Sequence, residues 1–349
     1  TGVAGPAFPT TSPFQLNFMN AFIQQYTFDI QRQLGTSWLL DLAYVGSQGL
    51  HLPRETDPNQ QINSNPAVCI QFAGCPRPYS LYSGFSYTES SGSSSYNAVQ
   101  AKVQRQFARG LSLIGSYTWS KSIDTASGAF GDTRNPNFPQ NSRDLAVEKG
   151  LSDFDYRNRF SLAYVYQLPI GSTAWRLDNH SLNYLIKNWQ LAGIATAQSG
   201  PHFTANISGD ISGADETVIA GQPTDRPNVS GAGFYPANKT PNQWVLPSGF
   251  SAQAPYTFGN AGRNILQGPG ISSWDFSIIR NFPFKESMNL EFRAEMFNIF
   301  NRPNFDIPYR DLASSSFGVI PDTLPPIAGE ASGGPGDPRE VQFGLRLTW

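Results

Sequence analysis

Phe22-Ile23-Gln24-Gln25-Tyr26-Thr27-Phe28-Asp29-Ile30-Gln31-Arg32-Gln33-Leu34, then Gly35-Thr36, then Trp38-Leu39-Leu40-Asp41-Leu42-Ala43-Tyr44-Val45, is the stretch that decides the fold. Phe22, Tyr26, Phe28, Ile30 and Leu34 fall on one parity, and Gln25, Thr27, Asp29, Gln31 and Gln33 on the other. A period of two is that of a strand with two unlike faces. Gly35-Thr36 turns the chain, and Trp38, Leu40, Leu42 and Tyr44 resume the apolar face, so the segment predicts a hairpin.

The same unit recurs down the chain. Val99, Ala101, Val103 and Phe107 lead through Ala108-Arg109-Gly110 into Leu111, Leu113, Tyr117 and Trp119. Phe160–Leu168 and Trp189–Ala197 form a looser pair across the long connection Pro169–Lys187. Trp274–Phe282, a tight turn at Pro283-Phe284-Lys285-Glu286 and Met288–Met296 form another, and Val341–Trp349 closes the chain. Between the pairs lie Gly/Pro/Ser/Asn-rich stretches, roughly residues 47–95, 121–155, 200–270 and 302–338, longer than loops of compact domains.

Short turns at one end and long loops at the other is the plan of an outer-membrane barrel, with periplasmic turns and extracellular loops. Composition agrees. Charged residues are 14% and aromatics 13%, too few charges for an ordinary soluble surface. The most apolar run, Trp38–Val45, contains Asp41 and is far short of the roughly 20 residues of a membrane helix. A net charge of −2 leaves no basic footprint for nucleic acid. A soluble sandwich also alternates, but it seldom keeps its long loops at one end or sorts its aromatics to both strand ends. Here Trp38, Phe107, Phe282 and Trp349 lie toward the turns, and Phe22, Tyr44, Trp119 and Trp274 toward the loops. Arg32, Arg105 and Arg280, of lipid-facing parity, each stand near a short turn, where they reach headgroups.

The expected fold is therefore all-β, an antiparallel transmembrane barrel portion with about 9–10 membrane strands, in the outer membrane. Residues 1–349 form one barrel portion, with 1–17 as an extracellular segment and 18–349 as strands and loops. Tracing about nine strands back from a descending last strand makes the first descend too, which suits the C-terminal part of a larger, even-numbered barrel. No basic or apolar leader opens the chain.

Cys69 and Cys75 enclose a short loop with no His or further Cys nearby, which suits a local disulfide, with an idle thiol pair as the alternative. His51, His180 and His202 have no metal-spaced partners, and no nucleophile elbow or phosphate loop appears, so neither enzyme chemistry nor a cofactor is expected. Asp144, Glu148, Asp153 and Asp155 lack calcium-loop spacing, which favours a salt-bridged loop over a calcium site. Glu291, Arg293 and Glu295, with Glu340, Gln342 and Arg346 on the last strand, have lumen parity and form a candidate charged ladder that meets a plug, or a purely structural one.

Several runs carry a family resemblance. Tyr96-Asn97-Ala98-Val99-Gln100, with Gly110-Leu111-Ser112 leading into Ser116-Tyr117-Thr118-Trp119-Ser120-Lys121, resembles the barrel of Oar-like TonB-dependent receptors. So do Gly150-Leu151-Ser152-Asp153-Phe154-Asp155, Gly259-Asn260-Ala261-Gly262-Arg263-Asn264 with Gly268-Pro269-Gly270, and Phe292-Arg293-Ala294-Glu295-Met296-Phe297-Asn298-Ile299-Phe300-Asn301. The resemblance implies a barrel of about 22 strands and import energised through TonB. Its plug and TonB-contacting segment belong to a part not seen in this chain, and the ligand is unidentified. Gln342, Gly344, Leu347 and Trp349 resemble the terminal signal read by the barrel-assembly machinery. A passive porin-like or structural barrel, or a surface adhesin, are the alternative functions.

Overall fold

The computed structural model describes residues 12–61, 67, 69, 75–82, 84–128, 138–171, 183–184, 186–214, 223–285, 288–325 and 336–349. Fourteen strands follow in order: β1 (Phe22–Leu34), β2 (Trp38–Thr56), β3 (Tyr87–Ala108), β4 (Leu111–Asp124), β5 (Gly150–Leu151), β6 (Asn158–Gln167), β7 (Trp189–Gln198), β8 (His202–Phe203), β9 (Asn228–Val229), β10 (Phe250–Ser251), β11 (Leu266–Gln267), β12 (Ile271–Lys285), β13 (Met288–Phe297) and β14 (Glu340–Thr348). Nine of them form one antiparallel meander, β1-β2-β3-β4-β6-β7-β12-β13-β14, and β5 adds to β4 above its end. The sheet is open. Successive antiparallel pairing makes β1 and β14 run the same way, and they do not pair with each other.

Register converts the alternation into two continuous faces. Phe28 lies opposite Tyr44, Tyr44 opposite Val99, and Val99 opposite Trp119. Leu113 meets Tyr164, Phe276 meets Met296, and Met296 meets Val341. Large apolar side chains on this face stand in the open, with Phe28 at 67% exposure, Leu42 at 52% and Phe343 at 73%. So extensive an exposed apolar surface is a membrane face. Toward the long connections it ends in hydroxyls: Tyr26 and Tyr44 both donate to Asn97 Oδ1, at 3.2 and 2.8 Å, and Tyr117 donates to Asn158 Oδ1 at 2.6 Å. Toward the short connections Arg109 and Gly110 both take positive φ (49° and 80°), the backbone of a two-residue hairpin turn.

The strands run further into the expected loops than alternation alone indicates. β2 reaches Thr56, and β3 starts at Tyr87 through the Ser/Gly-rich run Ser90–Ser95. These extensions stand above the membrane band, where one face need not be apolar, so the period-two signal fades. The turn expected at Pro283–Glu286 also falls later. β12 continues through Lys285 with a register shift between Pro283 and Lys285, while residues 286–287 lie outside the described residues.

The described parts of the long stretches between strand pairs fold into a compact cap. Phe203, Ala205, Val245, Phe250, Ala261, Leu266 and Phe317 form its core, and Phe250 stacks on Phe234 at 5.0 Å between ring centres. Segments from residues 203–266 and from 317 build this core jointly, and so many isolated apolar residues show no period to read. Of the N-terminal segment, residues 12–17 lie at the long-connection end, where Gln15 N–H donates to Thr88 O at 2.9 Å and Thr88 N–H to Pro13 O at 3.0 Å. Residues 1–11 and His180 lie outside the described residues.

Candidate functional site

The inner face of the sheet carries the polar parity. One row runs Gln104, Ile114, Ala163, Ile194 and Asp275 across β3, β4, β6, β7 and β12. The next runs Ser112, Val165, Ala192, Ser277, Glu295 and Gln342. Where the two rows adjoin, Ile114, Ala163, Val165, Ala192 and Ile194 leave an apolar groove of about 450 Å³ with Asp275 and Glu295 on its rim. Ile114 is 45% exposed and Ile194 53%. Sequence reasoning passed over this patch because each strand adds only one or two apolar residues to an otherwise polar parity; only register across three strands brings them together.

Beside the groove lies the charged ladder. Arg293 Nη2 donates to Glu291 Oε1 at 3.0 Å and its Nη1 to Glu295 Oε1 at 3.4 Å, while Gln342 Nε2 donates to Glu295 Oε2 at 2.9 Å. Arg346 stands in register opposite Glu291, and Gly344 opposite Arg293, but no ion pair joins Arg346 to Glu291 among the described residues. Glu340 pairs in register with Phe297. On the final strand Leu347 and Trp349 fall on the membrane parity, 48% and 84% exposed.

Over the long-connection end sits a buried polar network that unites two of the sequence runs singled out above. Arg263 Nε donates to Glu148 O at 2.8 Å, its Nη1 to Ser127 Oγ at 3.0 Å, and its Nη2 to Asp124. Asn264 Nδ2 donates to Leu151 O at 2.6 Å and to Asp153 Oδ1 at 2.8 Å. Asp155 Oδ1 accepts Ser122 N–H at 2.6 Å, and Glu148 Oε1 accepts Arg226 Nη2 at 2.7 Å. The acidic residues weighed for calcium are thus spread over separate partners, and Asp144 is exposed. Burial holds the Arg226 and Arg54 guanidiniums below their ordinary range, opposed by the charge of Glu148, and pushes the Asp225 carboxyl up. Gln140 links further segments, donating to Gly259 O at 3.0 Å and accepting Gln60 Nε2 on its carbonyl at 2.9 Å. Cys69 and Cys75 are joined by a disulfide, S–S 2.09 Å.

The inner face is thus polar apart from the groove, the cap is held by buried hydrogen bonds, and no described residues are arranged as a metal site. No curated protein matches the sequence. Among solved structures the chain is similar to the outer membrane transporter YddB from Escherichia coli, at 8% identity over 95% of this chain and 33% of that one, with a TM-score of 0.45. It is also similar to the pyoverdine outer membrane receptor FpvA from Pseudomonas aeruginosa, at 11% identity over 94% of this chain and 30% of that one, with a TM-score of 0.38. The chain therefore spans about a third of the length of these proteins. Residues 1–342 match the family model described as an outer membrane beta barrel domain, and the chain, with its membrane-faced antiparallel sheet, belongs to that family of the Gram-negative outer membrane.

Proposed function

We propose that this chain is part of the barrel of an energised importer, an Oar-like TonB-dependent receptor, and not an enzyme. The observation that carries the reading is the inner face, whose apolar groove beside Asp275 and Glu295 is left in water by the chain's own side chains. A plug surface laid against Ile114, Val165 and Ile194 would remove that area from water, worth about 25 cal/mol per Å². Nine strands with like-directed edges support the same view, because a closed antiparallel barrel needs an even number and hence an odd number of further strands. The expected partners are the barrel-assembly machinery, the surrounding lipid, TonB through another part of the protein, and a ligand of unspecified chemistry entering beneath the cap.

A structural or passive barrel is the second reading. It is favoured by Arg293, which already satisfies itself on Glu291 and Glu295 of its own strand. Planar-bilayer recording of the complete protein separates the two. An importer is expected to stay closed until urea releases its plug, whereas steady conductance without urea would establish a passive pore. In the plugged case, charge reversal at Arg293 in a folded protein is expected to raise resting conductance if the ladder holds the plug; unchanged conductance would make the ladder structural.

A further inference from the structure

Three strands carry an arginine on the membrane face toward the short connections; Arg105 stands 5.1 Å from the centre of the Trp38 ring and donates to Ala108 O at 3.1 Å, and Arg280 is the most enclosed of the three. Arg280 of β12 lies opposite Trp189 of β7 and Phe292 of β13 and is only 5% exposed. Its guanidinium carbon stands 4.1 Å from the centre of the Phe282 ring and 5.1 Å from that of Trp189. Nη2 donates to Tyr184 O at 2.6 Å, and Nε, also buried, has no hydrogen-bond partner among the described residues. Tyr184 completes this enclosure, its hydroxyl donating to Pro283 O at 3.2 Å.

A second cation joins the first. Lys187 Nζ lies 5.1 Å from the centre of the Tyr184 ring, so both cations gather on one tyrosine. Neither forms an ion pair among the described residues. Ring faces attract a cation through their quadrupole, but they carry no net charge and leave two positive groups uncompensated at the edge of an apolar band. In an outer-membrane barrel the short connections face the periplasm, so the surface at this depth is the headgroup layer of the inner, phospholipid leaflet. The anion that this layer offers is the phosphodiester.

We propose that Arg280 and Lys187, set on Tyr184 and Trp189, bind the phosphate of an anionic phospholipid headgroup in the periplasmic leaflet. The aromatic rings fix the guanidinium plane, Nη1, which is neither sealed off like Nε nor hydrogen-bonded among the described residues, is the donor left for the phosphate, and Lys187 supplies a second charge. Arg32, on the same face and exposed along β1, lacks this enclosure and belongs to the general interfacial charge.

The test uses the complete protein in nanodiscs, with native mass spectrometry counting lipids retained from phosphatidylcholine alone or mixed with phosphatidylglycerol. Wild type is expected to retain phosphatidylglycerol preferentially. A basic contact with an anionic surface is worth about fivefold in affinity, so Arg280→Gln with Lys187→Gln should lower retention about 25-fold. Lys187→Gln alone, outside the paired strands, should lower it about fivefold without affecting folding. Arg32→Gln should leave it unchanged. Equal retention of the two lipids, an equal loss from Arg32→Gln, or full retention by Lys187→Gln would overturn the site. Displacement of phosphatidylglycerol by millimolar inorganic phosphate would overturn the lipid assignment by showing a soluble anion site.

Discussion

Arg263 reaches back 139 residues to hold Asp124, its Nη2 bonding both the carboxylate and the backbone carbonyl at the end of β4. Both residues are buried, Arg263 at 8% exposure and Asp124 at 2%, so the pair is shielded from solvent. Taking one partner from a buried pair leaves the other charge unpaired, which costs about 3–5 kcal/mol. Arg263→Ala is therefore expected to open the cap, and to fray the end of β4 at Asp124, while the strands stay paired from Trp119 toward the short connections. Amide exchange should rise in residues 122–128, 148–153 and 263–264, with heat-modifiable migration retained. Arg263→Lys should not restore protection, because an ammonium lacks the fork that serves Glu148, Ser127 and Asp124 at once. Unchanged exchange in Arg263→Ala would show that the cap does not depend on this residue.

The membrane strands were legible in the sequence because lipid on one face and polar interior on the other impose a period of two on every residue. Phe22–Leu34 begins and ends where the alternation does. The cap was not legible, since Phe203, Val245, Phe250 and Phe317 are single apolar residues in Gly/Pro-rich sequence and acquire meaning only once folded together. The runs Gly150–Asp155 and Gly259–Asn264 stood out as family resemblances, yet nothing in either alone indicates that Asn264 bonds Asp153. The ladder was half legible: parity places Arg293 and Arg346 inside, but only the structure shows Arg293 serving its own strand neighbours.

Glycines under tyrosines set a second expectation. A Cβ on Gly193 would come within 2.8 Å of the Tyr164 ring carbon Cζ and of Asp275 O, closer than real contacts allow. Gly115 also lies on the membrane face, but its added Cβ would meet nothing nearer than Leu162 at 3.6 Å. Gly193→Ala should therefore destabilise the sheet by about 1–3 kcal/mol through overpacking, while Gly115→Ala is tolerated. The two variants are compared by the temperature at which heat-modifiable migration is lost. Equal temperatures would mean that Tyr164 moves aside at no cost.

Acidification should loosen the cap at β8. His202 Nε2 stands 3.5 Å from Asp155 Oδ2, but burial outweighs that carboxylate and, with Arg157 adding to it, holds the imidazole below its ordinary value of 6.5. Carbonyls of Leu266 and Asn264 oppose the shift without reversing it. With the folded value depressed, the opened loop binds the proton more tightly, so stability is complete above pH 6.5 and declines as pH falls below it toward the folded value. Amide exchange across β8 and β11 should therefore slow less between pH 7.5 and about pH 5 than its base-catalysed intrinsic rate does, an excess that reports opening. His202→Gln should flatten that excess. A wild-type profile as flat as the variant's would remove His202 as its source.

The last expectation separates a recognition role of β14 from a structural one. Trp349 is 84% exposed at the end of the strand, and Gly344 faces Arg293 with only its Cβ within 4.0 Å of an added methyl. Neither residue has packing in the folded sheet that a substitution would destroy. An effect of changing them must then arise before or during insertion, when the unpaired edge of β14 is available for strand addition by the assembly machinery. Trp349→Asp is expected to lower the folded fraction in outer membranes several-fold with synthesis unchanged, and Trp349→Phe to keep it, since an aromatic ring still anchors at the interface. Gly344→Ala should slow the appearance of the folded form in a pulse-chase while leaving its final heat stability at the wild-type value. Normal assembly kinetics in both Trp349→Asp and Gly344→Ala would mean that Gln342, Gly344, Leu347 and Trp349 are only the end of a strand.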